Sequence, residues 1–139
     1  MAGIEKIEVL LIEDRLRDVD FMKEYVKFDS KLTGRVNLTV LMINDWDKKV
    51  DGEILRQVRD FEARGTVITD GLEGKFPSIV EAAREKVPQR RVCLVTGTRW
   101  AFVCDEVEKL KIEYFNKEDL FDPETREELF LGKSLTGVK

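Results

Sequence analysis

The sequence contains no histidine. That absence removes the Ser-His-Asp triad, the Cys-His nucleophile pair, His-ligated metal sites and any phosphohistidine carried on this chain. Cysteine is scarce: Cys93 and Cys104 are the whole thiol inventory. They form no CxxC pair, which excludes a zinc ribbon and a thioredoxin-type motif and leaves two reduced, partly buried small hydrophobes. No apolar run reaches the roughly 18 residues of a membrane-spanning helix. Met1 to Lys6 lacks the apolar stretch of a signal peptide, so a cytoplasmic protein is expected. Acidic residues outnumber basic ones 28 to 24, giving a net charge of −4 and no support for direct nucleic-acid binding.

What remains is enough for one folded domain: 139 residues, 42% of them hydrophobic. Short apolar runs alternate with longer amphipathic ones. Ile7 to Ile12 (IEVLLI), Val36 to Ile43 (VNLTVLMI), Thr66 to Thr69 (TVIT), Arg91 to Val95 and Ile112 to Phe115 read as strands. Between and after them, helical apolar spacing covers Arg17 to Phe28, Lys48 to Arg64, Pro77 to about Lys86 and Trp100 to Leu110. Asp122-Pro123 then caps and opens a last helix that ends near Gly132. Five strands, each followed by a helix, predict an α/β fold: a single doubly wound (βα)5 parallel sheet covered on both faces. The domain is expected to span residues 1–132, with 133–139 a flexible tail.

Ligands of an open parallel sheet sit at the carboxyl ends of its strands. Strand one ends in Glu13-Asp14, strand three in Asp70, strand four in Thr96 and strand five in Asn116-Lys117. Three converging carboxylates repel unless a cation neutralises them, and hard oxygen ligands in that number suit Mg²⁺. A lysine and a threonine beside them supply what a phosphoryl group needs, a point charge and a hydroxyl donor.

The set IED, ITD, VTGT and YFNK, in this order and at strand ends, resembles the receiver domain of two-component response regulators from about Ile7 to Leu131. The resemblance implies a flavodoxin-like sheet of order 2-1-3-4-5. It implies that Asp70 is the phosphoacceptor, forming an aspartyl phosphate. It implies Mg²⁺ held by Asp14 directly, by the neighbouring Glu13, by Asp70 and by the backbone carbonyl of Leu72. Lys117 would pair with the carboxylate and then with the phosphoryl oxygens. Thr96 and Tyr114 would be the switch residues, and the Leu72 and Thr98 side chains would tune dephosphorylation. Leu72 is expected to cover the approach to Asp70 with apolar surface, unable to orient water.

The sequence also departs from the family. Glu118 follows Lys117 where receivers commonly carry a cis-bonded proline, and a trans bond would re-aim that loop and its ammonium. Glu73-Gly74 stands where Met-Pro is usual. The interval from Asp14 to Asp70 is longer than usual by roughly ten residues, room to lengthen the second helix by almost three turns.

Simpler roles exist for individual residues. Glu13-Asp14 could cap the first helix, and Tyr114, Trp100 and Phe102 could be packing residues. The Lys48-Lys49 and Arg90-Arg91 pairs read as solvated faces. Taken together, the motifs imply a response regulator receiver that accepts a phosphoryl group from a histidine kinase or a His-containing phosphotransfer protein and switches its binding to a downstream target. It would be a phosphoacceptor, with Mg²⁺-dependent self-phosphorylation from small donors and autodephosphorylation, and with homodimer formation left open. A pseudo-receiver that binds proteins without phosphorylation is the alternative. A Mg²⁺-dependent aspartyl-phosphate phosphohydrolase ranks third, because Glu13-Asp14-Arg15 lacks the DxD pattern of such enzymes.

Overall fold

The branched apolar runs form strands, the three central ones buried on both sides and the two outer ones only in part, and the amphipathic runs form helices because each has one face to bury. The computed structural model describes residues 6–44 and 49–132. Within them, the order is β1 (Ile7–Glu13), α1 (Leu16–Phe28), β2 (Val36–Met42), α2 (Gly52–Arg59) and β3 (Thr66–Thr69). Then follow α3 (Phe76–Ala83), β4 (Val92–Thr96), α4 (Trp100–Leu110), β5 (Glu113–Asn116) and α5 (Pro123–Leu131). Short 3-10 turns lie at Leu72–Gly74 and Lys117–Phe121. The sheet is parallel throughout, in the order β2-β1-β3-β4-β5.

The period of two along each strand divides the core. Leu10, Ile12, Val67 and Leu94 face α2, α3 and α4, meeting Val58, Phe76, Ile79 and Val107. Val9, Leu11, Ile68 and Cys93 face α1 and α5, meeting Val19, Met22, Leu129 and Phe130. Both cysteines are free, Cys93 fully buried and Cys104 partly so.

The register aligns the carboxyl ends. Ile12 pairs with Thr69, and the Asp70 N–H donates to the Ile12 carbonyl at 2.9 Å, which sets Asp70 beside Glu13. Thr96 pairs with Asn116, which sets Lys117 one residue past the same edge.

Three expectations are corrected. The second helix is not lengthened. It has eight residues and starts where the Asp51 side chain caps it by accepting from the Ile54 N–H. Downstream, the chain curls around Arg90, whose guanidinium takes the carbonyls of Phe61, Glu62 and Gly65, so the helix cannot run on to Arg64. Arg90 is therefore not a solvated side chain; it is 3% exposed. It also takes the Ala83 carbonyl at 2.8 Å, where α3 ends short of Lys86. The expected tail 133–139, the first five residues and Lys48 lie outside the described residues. Among the described residues, no helix is long and apolar enough to cross a membrane.

Candidate functional site

Glu13 ends β1 and Asp14 follows it, both 2% exposed. Neither caps α1: its N-cap is Arg15, with no side-chain cap bond. Instead Glu13 Oε1 accepts from the backbone N–H groups of Asp14 at 3.0 Å and Arg15 at 3.3 Å, which fixes the carboxylate at the sheet edge. Asp70 stands opposite, its Oδ2 accepting from the Leu72 N–H at 3.0 Å. One carboxylate oxygen from each of Glu13, Asp14 and Asp70 lies within 4.8 Å of the others. Three hard anionic ligands at that spacing fit a divalent cation that takes oxygen donors, Mg²⁺ among them.

Lys117 enters this cluster from the end of β5. Its Nζ lies 2.8 Å from Asp70 Oδ1, 3.2 Å from Glu13 Oε2 and 2.7 Å from Asp18 Oδ2. The peptide bonds among the described residues are all trans, the bond to Glu118 included, yet the ammonium still reaches Asp70, contrary to the expectation for a trans bond. The turn is closed by the Asn116 side chain, which accepts from the Glu118 N–H at 2.9 Å. Asp18 is the site residue that the strand-end reading missed. It sits in the first turn of α1, and the first turn of a helix that follows a strand lies at the carboxyl edge of the sheet.

The electrostatics follow from burial. Burial pushes the Glu13 carboxyl up to about 8, helped by its hydrogen bond with Asp14 and the charge of Asp70, and the nearby ammonium offsets only part of this. Burial works against the Lys117 ammonium, but hydrogen bonds to Asp18 and Asp70 outweigh it, and its pKa stands above the ordinary lysine value.

Thr96 is buried at the end of β4, its Oγ1 accepting from the Thr98 N–H at 3.1 Å. A Cβ added to Gly71 would lie 3.2 Å from that oxygen, so the absence of a side chain lets the loop after Asp70 approach Thr96. Tyr114 donates to the Thr98 carbonyl at 2.5 Å and meets the Trp100 ring edge-on, tying β5 to the loop that follows Thr96. Trp100 is half exposed, while Phe102 is 78% exposed.

Leu72 departs from expectation. It is 1% exposed and packs into the core on the α3 side rather than covering Asp70. Its left-handed backbone, φ 50°, turns the side chain inward while aiming the N–H at Asp70. Its carbonyl accepts from the Lys75 N–H at 3.1 Å, closing the 3-10 turn, so only its second lone pair is left for a cation. The cluster opens into a cleft of about 740 Å³ whose walls include Phe21, Phe102, Phe121 and Arg17.

Two solved structures share this architecture. One is the RcsB response regulator of Salmonella typhimurium, with a TM-score of 0.65 and 14% identity over 95% of this chain. The other is a CheY-like response regulator receiver domain protein from Methanospirillum hungatei, with a TM-score of 0.56 and 15% identity over 90% of this chain. The fold is the receiver fold. This chain spans 63% of the RcsB chain and 99% of the Methanospirillum chain. No protein-family model matches the sequence, and no curated protein matches it. At 14–15% identity the likeness is one of fold.

Proposed function

We propose that this chain is a response regulator receiver that takes a phosphoryl group onto Asp70 from a histidine kinase or a His-containing phosphotransfer protein and thereby changes its binding to a downstream target. One observation carries the reading: a lysine ammonium 2.8 Å from Asp70, at the rim of a three-carboxylate cluster, in an open cleft at the carboxyl edge of the sheet. A carboxylate oxygen of Asp70 attacks phosphorus, the phosphorus–nitrogen bond of the donor breaks, and the leaving imidazole keeps that electron pair and takes a proton. Mg²⁺, held by Glu13, Asp14 and Asp70, would neutralise charge on the transferring group. Lys117 offers its ammonium to the phosphoryl oxygens, and Thr96 its hydroxyl, within reach of the backbone at Gly71. The Tyr114 bond to the Thr98 carbonyl gives movement at Thr96 a route to β5.

The test is incubation with Mg²⁺ and acetyl phosphate followed by intact mass. Wild type gains one phosphoryl group and Asp70→Asn gains none; equal behaviour of the two proteins rejects the assignment. The aspartyl phosphate is expected to be long-lived, since Leu72 is apolar and buried and Thr98 is a poor base for activating water. Decay within seconds after donor removal would contradict this.

A further inference from the structure

The Lys117 ammonium has three N–H donors and three carboxylate partners, Glu13, Asp18 and Asp70, at 3.2, 2.7 and 2.8 Å. Two of the partners belong to the three-carboxylate cluster; Asp18 does not. A cation or phosphoryl group entering the cluster draws on Glu13 and Asp70, and so competes with the ammonium for them. It leaves Asp18 alone. Asp18 is also the shortest of the three contacts and is supplied by a different element, the first turn of α1. We propose that Asp18 is a positioning residue that keeps the Lys117 ammonium beside the phosphoacceptor while the other two carboxylates are engaged by the incoming group.

The inference rests on the reading of Asp70 as phosphoacceptor. Without Asp18, the ammonium would be held only by carboxylates whose charge the cation neutralises, and it would leave toward solvent when needed for phosphoryl transfer. An acid in a first helical turn also complements the helix dipole, which accounts for stability but not for where a lysine 99 positions away is held.

The test compares the full chain with Asp18→Asn, Asp18→Glu and, as a control on the same helix, Asp20→Asn. The first readout is the side-chain ammonium resonance of Lys117 in proton–nitrogen spectra, which persists only while its protons are shielded from water by hydrogen bonds. In the wild type it is expected with and without Mg²⁺. In Asp18→Asn it is expected without Mg²⁺ and lost on adding it; Asp18→Glu retains it, and Asp20→Asn matches wild type. Persistence in Asp18→Asn with Mg²⁺, or absence in the wild type, overturns the proposal. The second readout is the rate of labelling by acetyl phosphate, expected to fall on the order of tenfold in Asp18→Asn, in keeping with one charge-assisted hydrogen bond. A wild type that takes no phosphoryl group rejects the phosphoacceptor reading, while the ammonium resonance still decides the role of Asp18.

Discussion

The two edges of the sheet treat buried charge in opposite ways. At the amino edge, three arginines satisfy themselves on backbone. Arg90 donates to the carbonyls of Ala83, Phe61, Glu62 and Gly65, with the Phe61 ring against its guanidinium. Arg84 takes the carbonyls of Arg90, Leu110 and Lys111, and Arg91 takes those of Glu128 and Leu129 together with the Glu113 carboxylate. These carbonyls lie where α3, α4 and α5 end, or in the turns before β3 and β4, so the arginines supply partners that these carbonyls would otherwise lack. At the carboxyl edge, Glu13, Asp18 and Asp70 crowd around the ammonium of Lys117, and Asp14 lies beside Glu13 and Asp70. The first edge is satisfied within the chain; the second is short of positive charge. A ligand of the right sign therefore has free energy to gain only at the second.

Substitutions at the two edges should differ in sign as well as size. Arg90→Met should cost the most, roughly 3–5 kcal/mol, because it leaves four buried or partly buried carbonyls without their donor. Urea unfolding measures it, and a loss under 1 kcal/mol would mean the carbonyls find other partners. Lys117→Met should cost roughly 2–3 kcal/mol in metal-free buffer, since it strands buried carboxylates beside one another. Added Mg²⁺ should restore much of that loss and bind more tightly than to wild type, a comparison for calorimetry. An unchanged Mg²⁺ affinity would show that the ammonium does not compete with the cation.

Glu13→Gln reverses the sign. In the fold the Glu13 carboxyl holds its proton up to about pH 8, whereas the unfolded chain releases it near 4.5. The folded state thus binds more protons between these values, and wild-type stability falls as pH rises through that window. Metal-free Glu13→Gln should be more stable than wild type by roughly 1–2 kcal/mol at pH 8, with the gap closing toward pH 4.5. A gap that does not vary with pH would remove Glu13 as its source. The smallest effect concerns the loop after Asp70. Glu73 is exposed and left-handed at φ 53°, ψ 41°, so Glu73→Gly should raise stability by about 0.5–1 kcal/mol. Thermal unfolding would detect it, and a loss would mean that the Glu73 side chain contributes more than its backbone costs.

The fold was legible because its signals are local and repeated. Strand runs such as Thr66–Thr69 are too short and too branched for helices, and their alternation with amphipathic stretches leaves few topologies. Four motif endings pointed to the carboxyl edge because parallel strands present that edge together. Local pattern misjudged the lengths of α2 and α3, since Arg90, seven residues past the end of α3 and about thirty past that of α2, claims the carbonyls where they would have continued. It also misplaced Leu72, because a side chain after a sheet edge can turn inward or outward, and the left-handed backbone turned it inward.

Residue types and their order were enough to settle an all-parallel α/β sheet and an acidic edge with one lysine, because periodicity and strand ends are properties of neighbouring residues. Which carboxylates share that lysine, which arginine is buried, and whether Lys117 reaches Asp70 across a trans bond were decided only in three dimensions. Those outcomes depend on distances of about 3 Å between groups about a hundred positions apart, and such distances are set by packing rather than by local pattern.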